Sequence, residues 1–277
     1  MKVPPCGEIE GATTVDIWIV NAADATGLGF ISSLNPTALR VALSVMRTSP
    51  IVVIDVELDP VVLPQGNPWE SYYALRLALA DGAPEIFRSI ALGSHATQRR
   101  RLESPDFVEL RGISTTTTVF AGGLPFHACI GDRQLDSLLI AAGESARCFR
   151  IGIGMNVTHA TPAALEFVAP PVMHFEENAA PSPAASWLFR VDARNVIATR
   201  WRPLIADGKV RGVTARLLES AGRRTQCGLH GFREIAAASK RDFCGGTIGD
   251  LQIEDQRVMI ELERHETCDV ELVWKNG

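Results

Sequence analysis

Tyrosine is nearly missing from this chain of 277 residues: there are two, and they are neighbours, Tyr72 and Tyr73. The six cysteines, at 6, 129, 148, 227, 244 and 268, include no Cys-x-x-Cys pair, and their wide spacing argues against a zinc knuckle. An even count permits disulfides without requiring them; reduced thiols packing as small hydrophobes are expected. No block of five or six like charges occurs. The densest basic run, Arg99-Arg100-Arg101, is followed at once by Glu103, and the net charge is -5, which argues against a nucleic-acid partner. No apolar stretch approaches the roughly 18 residues of a membrane-spanning helix, so no membrane partner is expected. The opening residues MKVPPCGEIE contain no apolar run of signal-peptide length, so a cytoplasmic location is the default expectation. There is no Gly-x-Ser-x-Gly elbow, no phosphate-binding glycine loop and no His-Glu-x-x-His helix.

What is present is an ordinary globular composition, 46% apolar and 21% charged, enough for one large domain or two. The dominant pattern is alternation with period two, the signature of strands with one buried face. Val52, Ile54, Val56 and Leu58 share a face, with Asp55 and Glu57 opposite. Phe149, Ile151, Ile153, Met155 and Val157 alternate with Cys148, Arg150, Gly152, Gly154 and Asn156, where the glycines mark a bend or a close approach by a neighbour. Val213, Ala215 and Leu217, then Val258, Ile260 and Leu262, then Val270, Leu272 and Trp274 repeat the pattern. Thr115 to Phe120 is a β-branched run that a helix accepts poorly. Turn signals such as Asp81-Gly82, Gly122-Gly123, Asp207-Gly208 and Cys244-Gly245-Gly246 separate the runs. Helical signal is scarce. Residues 35 to 46 admit a short helix capped by Asn35, but the alternation of Leu39, Val41, Leu43 and Val45 favours a strand; the apolar run from Gln134 to Ala141 is ambiguous. The fold expected is all-β. Glu176 to Ala185 is polar, small and proline-rich and reads as a linker, dividing a domain of residues 1–175 from a smaller one of 187–277, with 176–186 between.

Several stretches carry a resemblance. One is Asn195-Val196-Ile197-Ala198-Thr199-Arg200-Trp201-Arg202-Pro203-Leu204, followed by Asp207-Gly208, Arg216-Leu217-Leu218-Glu219 and Gly222, with a closing hairpin around His265-Glu266. Others are Arg100 to Glu109 and Gly122-Gly123-Leu124-Pro125-Phe126-His127 with Gly131 to Asp136. Together these resemble the C-terminal β-region of family 38 α-mannosidases, with Leu218 standing where the family has an aromatic residue. The resemblance implies a large β-super-sandwich, of the kind also seen in galactose mutarotases, followed by a smaller C-terminal β-sandwich. It also implies glycoside hydrolysis in mannose metabolism. In that family a zinc ion is held by a His-x-Asp pair, the nucleophilic aspartate and a further histidine, all in an N-terminal α/β domain. Retaining hydrolysis needs a nucleophilic carboxylate and an acid/base carboxyl close together. None of the six histidines here begins His-x-Asp; His174-Phe175-Glu176 comes nearest. No catalytic residue and no metal ligand is therefore assigned, and no cofactor is expected in this chain. Zinc is expected only in a catalytic α/β domain or subunit that this chain would partner.

Three clusters are candidates for touching a mannoside-like carbohydrate. Trp69, Tyr72 and Tyr73 lie beside Glu70 and Arg76, and sugars are bound by flat aromatic faces with polar groups at their edges. Arg99, Arg100 and Arg101 with Glu103 offer guanidinium forks for hydroxyls or a carboxylate. His127 with Arg133 and Asp136 is expected on a loop after Gly122-Gly123. Against each stands a plainer role: packing for the aromatics, solvated ion pairs for the arginines, a buried polar network for His127. His265-Glu266 reads as a hairpin turn without chemistry. The functions weighed are a β-module acting with a separate catalytic segment, a free-standing carbohydrate-binding module, and a mutarotase-like enzyme using His127 with Glu144 or Glu103.

Overall fold

A computed structural model describes residues 7–9, 12–19, 38–46, 49–60, 62–79, 82–169 and 187–275. The expected linker at 176–186, the cap at Asn35 and His174 lie outside these residues. The chain divides into two compact units. The first runs to residue 170, except for Leu92–Ser94, which group with the second.

The first unit is built from β1 (Gly7–Ile9), β2 (Ala12–Ile19), β3 (Ala38–Met46), β4 (Ile51–Asp59), β5 (Tyr73–Ala78), β6 (Glu85–Ile90), β7 (Gly93–Thr97), β8 (Arg101–Glu103), β9 (Phe107–Arg111), β10 (Thr116–Phe120), β11 (Phe126–Ile130), β12 (Gln134–Ile140) and β13 (Cys148–Met155), followed by one helix, α1 (Ala160–Val168). A nine-stranded sheet has the order β1-β2-β3-β4-β13-β10-β9-β6-β7, and a four-stranded sheet the order β5-β12-β11-β8. Residues 38–46 are a strand, and the ambiguous run from Gln134 is strand β12.

The alternation decides which faces meet. β4 and β13 pair with Val56 opposite Phe149 and Ile54 opposite Ile151, so the apolar sets coincide. With Val108, Leu110 and Val119 of the large sheet, they pack against Leu102, Leu135 and Leu139 of the small one. Each such side chain, once fully buried, contributes about 1.5–3 kcal/mol. On the outer face of β13, Arg150 meets Asp55 of β4 through two bonds of 2.6 and 3.2 Å.

Helix α1 is a departure from the expectation. At nine residues it is too short to leave a clear periodic signal, and Pro162 in its first turn, where N–H groups have no helical partner, is compatible with it. It covers the outer face of the large sheet, where Phe107, Phe120, Ala160 and Ala164 form a second apolar cluster with Phe167 against it. The glycines of β13 make room for it. A Cβ on Gly152 would come within 2.9 Å of the Phe167 ring, and one on Gly154 within 2.5 Å of Val157. Close approach, not a bend, explains both.

The second unit comprises β14 (Phe189–Val191), β15 (Val196–Ala206), β16 (Lys209–Glu219), β17 (Thr225–Gly231), β18 (Ile235–Arg241), β19 (Thr247–Asp250), β20 (Ile253–Glu254), β21 (Arg257–Leu262) and β22 (Thr267–Trp274). They form a four-stranded sheet, β14-β17-β21-β20, and a five-stranded one, β15-β16-β22-β18-β19. Ala215, Leu217, Val258, Ile260, Leu262, Val270 and Leu272 fill the core between them, as their alternation requires. Cys227 and Cys268 sit in this core as free thiols, and burial pushes their pKa values up to about 12 and about 11. They pack as small hydrophobes. Among the described residues no helix is long and apolar enough to cross a membrane.

Candidate functional site

The small sheet of the first unit sorts the candidate residues onto two faces. Directly opposite residues on neighbouring strands share a face. The row Leu102–His127–Ser137–Leu75 points to the core, and the row Arg101–Ala128–Asp136–Arg76 points outward, with Glu103 and Phe126 paired one step along.

On the outward face Asp136 is fully buried yet ionically satisfied. The Tyr72 hydroxyl donates to its Oδ2 at 3.0 Å, and Arg76 donates from Nε at 2.6 Å and from Nη2 at 2.8 Å. Burial, then the hydrogen bond to Asp136, pushes the Tyr72 hydroxyl pKa above its ordinary value. The structure thus joins Tyr72 and Arg76, near neighbours in sequence, to Asp136, 60 residues beyond Arg76. Trp69 meets Phe126 edge to face at 5.8 Å, and the Arg101 guanidinium lies over its ring at 5.7 Å. The Trp69 loop is held by Asn67, whose Oδ1 accepts the Trp69 N–H at 3.1 Å and whose Nδ2 donates to Glu70 at 2.9 Å. Beside it opens a depression of about 500 Å³ walled by Trp69, Arg88, Arg99, Arg100, Arg101 and Glu103.

The other candidates are elsewhere. His127 is not on a loop: it lies on β11, fully buried on the core face, with Nδ1 2.9 Å from the Ser137 hydroxyl and Nε2 without a partner in hydrogen-bond geometry. Burial pushes its pKa down to about 4, against an opposing pull from the backbone of Ser104 and Leu124, so it is neutral near pH 7. Glu103 is exposed on the opposite face, and Glu144 is spent accepting the Ala146 N–H at 2.7 Å, which leaves the pairing of His127 with either carboxylate unformed. Tyr73 packs on the core and donates to the Val62 carbonyl at 3.0 Å. Arg133 reaches the Leu79 carbonyl from Nη2 at 3.3 Å and ties the β11–β12 turn to the end of β5.

Two features escaped the sequence reading. Phe126 joins the Trp69 surface through pairing with β8 and Arg88 reaches it from β6 of the other sheet, and neither carries a local signal. A second hollow, of about 730 Å³, lies on the outer face of the large sheet and includes Arg40, Asp55, Glu57, Glu144, Cys148 and Arg150. Its charges face each other: Arg150 holds Asp55, and Arg40 stands 3.8 Å from Glu57. Gly122 borders it with φ +57°, and a Cβ there would fall 1.9 Å from the Arg150 carbonyl oxygen, so only glycine fits.

In the second unit the Arg-Leu-Leu-Glu stretch is structural. Glu219 is fully buried and receives N–H groups from Asn195, Ala221, Gly222, Arg223 and His265 at 2.8–3.1 Å. Burial alone would raise its pKa, but the bonds from Asn195, His265, Ala221 and Arg223 outweigh that and hold it below the ordinary carboxylate value. Arg216 makes a two-bond pair with Asp269 at 2.7 and 2.8 Å. His265-Glu266 lies in the tight turn between β21 and β22. Among the described residues no group of three His, Cys, Asp or Glu is placed to hold a metal ion.

No family model matches the sequence, and no curated protein matches it either. Solved structures do match its fold. A glycosyl hydrolase family 38 protein from Enterococcus faecalis overlays with a TM-score of 0.62 at 10% identity, covering 95% of this chain and 34% of that one. An alpha-mannosidase from Enterococcus faecalis V583 overlays with a TM-score of 0.63 at 10% identity, covering 95% of this chain and 33% of its own. The chain therefore has an all-β fold like part of these proteins and spans about one third of their length.

Proposed function

We propose that this chain is a non-catalytic, carbohydrate-associated β-module equivalent to the C-terminal β-region of a family 38-like α-mannosidase. It acts with a catalytic segment carried elsewhere, and any zinc belongs to that segment. The observation that carries this reading is the overlay of 95% of the chain on one third of an alpha-mannosidase. At 10% identity the shared property is the fold, so the activity is inferred and not inherited. The outward face with Trp69, Arg101 and Glu103 is the sugar-facing surface in this reading, because it combines an aromatic ring with polar groups whose partners are not all spoken for.

The test is an aryl α-mannoside assay of the purified chain, with and without zinc, and then with a family 38 catalytic segment added. The chain alone should give no turnover in either condition, and the mixture should turn over faster than the catalytic segment by itself. Zinc-dependent hydrolysis by the chain alone would overturn the reading. A second reading, a free-standing carbohydrate-binding module, is favoured by that same Trp69 surface. It predicts mannoside binding with no effect on any catalytic segment.

A further inference from the structure

The depression beside Trp69 has a charge balance unlike the other polar surfaces of the first unit. Four of its six wall residues are arginines and one, Glu103, is acidic. Arg100 is partly occupied, donating to the Gly131 carbonyl at 2.6 Å and to Asp132 at 2.9 Å. Arg101 lies against the Trp69 ring. Neither Arg88 nor Arg99 has an ion-pair partner among the described residues. After Glu103 and Asp132 are set against the four guanidinium groups, about two positive charges are left without a counter-charge. In the 730 Å³ hollow, by contrast, Arg150 and Arg40 each face a carboxylate.

The walls are also held in place. Arg88 is on β6 of the large sheet, and Arg101 and Glu103 are on β8, the edge strand of the small one. Next to them, Ser89 and Ser104 are both fully buried and lie 3.2 Å apart through their hydroxyls. The Ser89 N–H donates to Ser104 Oγ at 2.8 Å, Ser89 Oγ accepts the N–H groups of Asp106 and Phe107 at 2.9 and 3.2 Å, and Ser104 Oγ donates to the Phe107 carbonyl. This network ties β6 to the turn after β8, so the arginines from two sheets are presented at a set separation. A site built this way needs little reordering when it binds.

We infer that this depression binds a hexose carrying a phosphate group, the sugar against Trp69 and the phosphate among Arg88, Arg99 and Arg101. A phosphate monoester carries about -1.5 to -2 charge at pH 7, which matches the unbalanced charge, and guanidinium forks suit its oxygens. A carboxylate brings about half that charge. The net charge of -5 on the whole chain disfavours an extended polyanion but not a small ligand in a local positive hollow. The inference rests on the module reading above for its sugar, and it adds the substrate class.

The experiment is calorimetric titration of the full chain with mannose 6-phosphate, mannose, glucuronate and inorganic phosphate. Mannose 6-phosphate should bind at least about tenfold more tightly than any of the other three, and its affinity should fall as salt rises. Arg99→Gln and Arg101→Gln should each weaken it about fivefold or more, with unchanged thermal unfolding, since both residues are exposed. Mannose bound as tightly as its phosphate would overturn the inference while leaving the module reading intact. Glucuronate or inorganic phosphate bound as tightly would overturn the assignment to a sugar phosphate. Binding of none of the four would also overturn it, and the mixing assay then decides the module reading separately. Full affinity in both arginine variants would remove the site from this depression.

Discussion

The two units satisfy their buried carboxylates alike but differ in the charges around them. In the second unit Glu219 is enclosed and takes five N–H donors, and Arg216 is locked to Asp269 through two bonds. In the first unit Asp136 is held by Tyr72 and Arg76, but Arg101, farther along the same outward face, borders with Arg88 and Arg99 a hollow with charge to spare. The stretch most like a family signature is thus the one whose polar residues are consumed by folding. A motif whose polar groups are taken up by a turn reports the fold before it reports any chemistry.

The comparison is broken most directly at Glu219. Glu219→Ala removes one carboxylate and strands several N–H groups, and should cost about 4 kcal/mol in denaturant unfolding. The sign with pH follows from the lowered folded pKa. The unfolded chain binds the proton more readily, so the stabilisation is complete above the unfolded carboxylate pKa and is lost as pH falls through the folded one. Glu219→Gln should therefore lie below the parent protein at neutral pH and approach it in acid.

His127 tests whether the first unit also hides a committed polar group. Its folded pKa of about 4 lies below the ordinary 6.5, so the unfolded chain takes up the proton first as pH drops. Stability should be full above about pH 6.5 and decline by about 3 kcal/mol towards pH 4 from this residue. His127→Leu should flatten that part of the curve. An unchanged curve would place His127 outside the core.

The smallest effect sharpens the contrast between the two carboxylates. Asp136→Asn keeps the shape but loses the charge that Arg76 and Tyr72 address, and should cost about 2 kcal/mol by thermal unfolding. A loss as large as that of Glu219→Ala would show that Asp136 is as deeply committed as Glu219.

Much of the fold was legible because one physical fact carries it: successive strand side chains point to opposite faces. Ile54, Val56, Phe149, Ile151, Leu217, Ile260 and Leu272 are all core residues, and all stand in alternating runs. Helix α1 was not legible, since nine residues hold too few turns for a period to emerge. Of the candidate site, Trp69, Arg101 and Glu103 come together as one surface, and Tyr72, Arg76 and Asp136 as another part of the same face. His127 and Tyr73 do not join them, because a step of one residue along a strand exchanges the outward face for the core.

The sequence by itself determined the strand character, the core-facing residues and the wide spacing of the cysteines, because these depend on local alternation and composition. Only the tertiary structure decided that Arg88 meets Arg99 and Arg101, that Tyr72 and Arg76 converge on Asp136, and that Gly152 and Gly154 yield to Phe167 and Val157. These depend on strand register, on how the two sheets stack and on where the helix packs, and those choices are made by the burial of whole elements, not by any short stretch of chain.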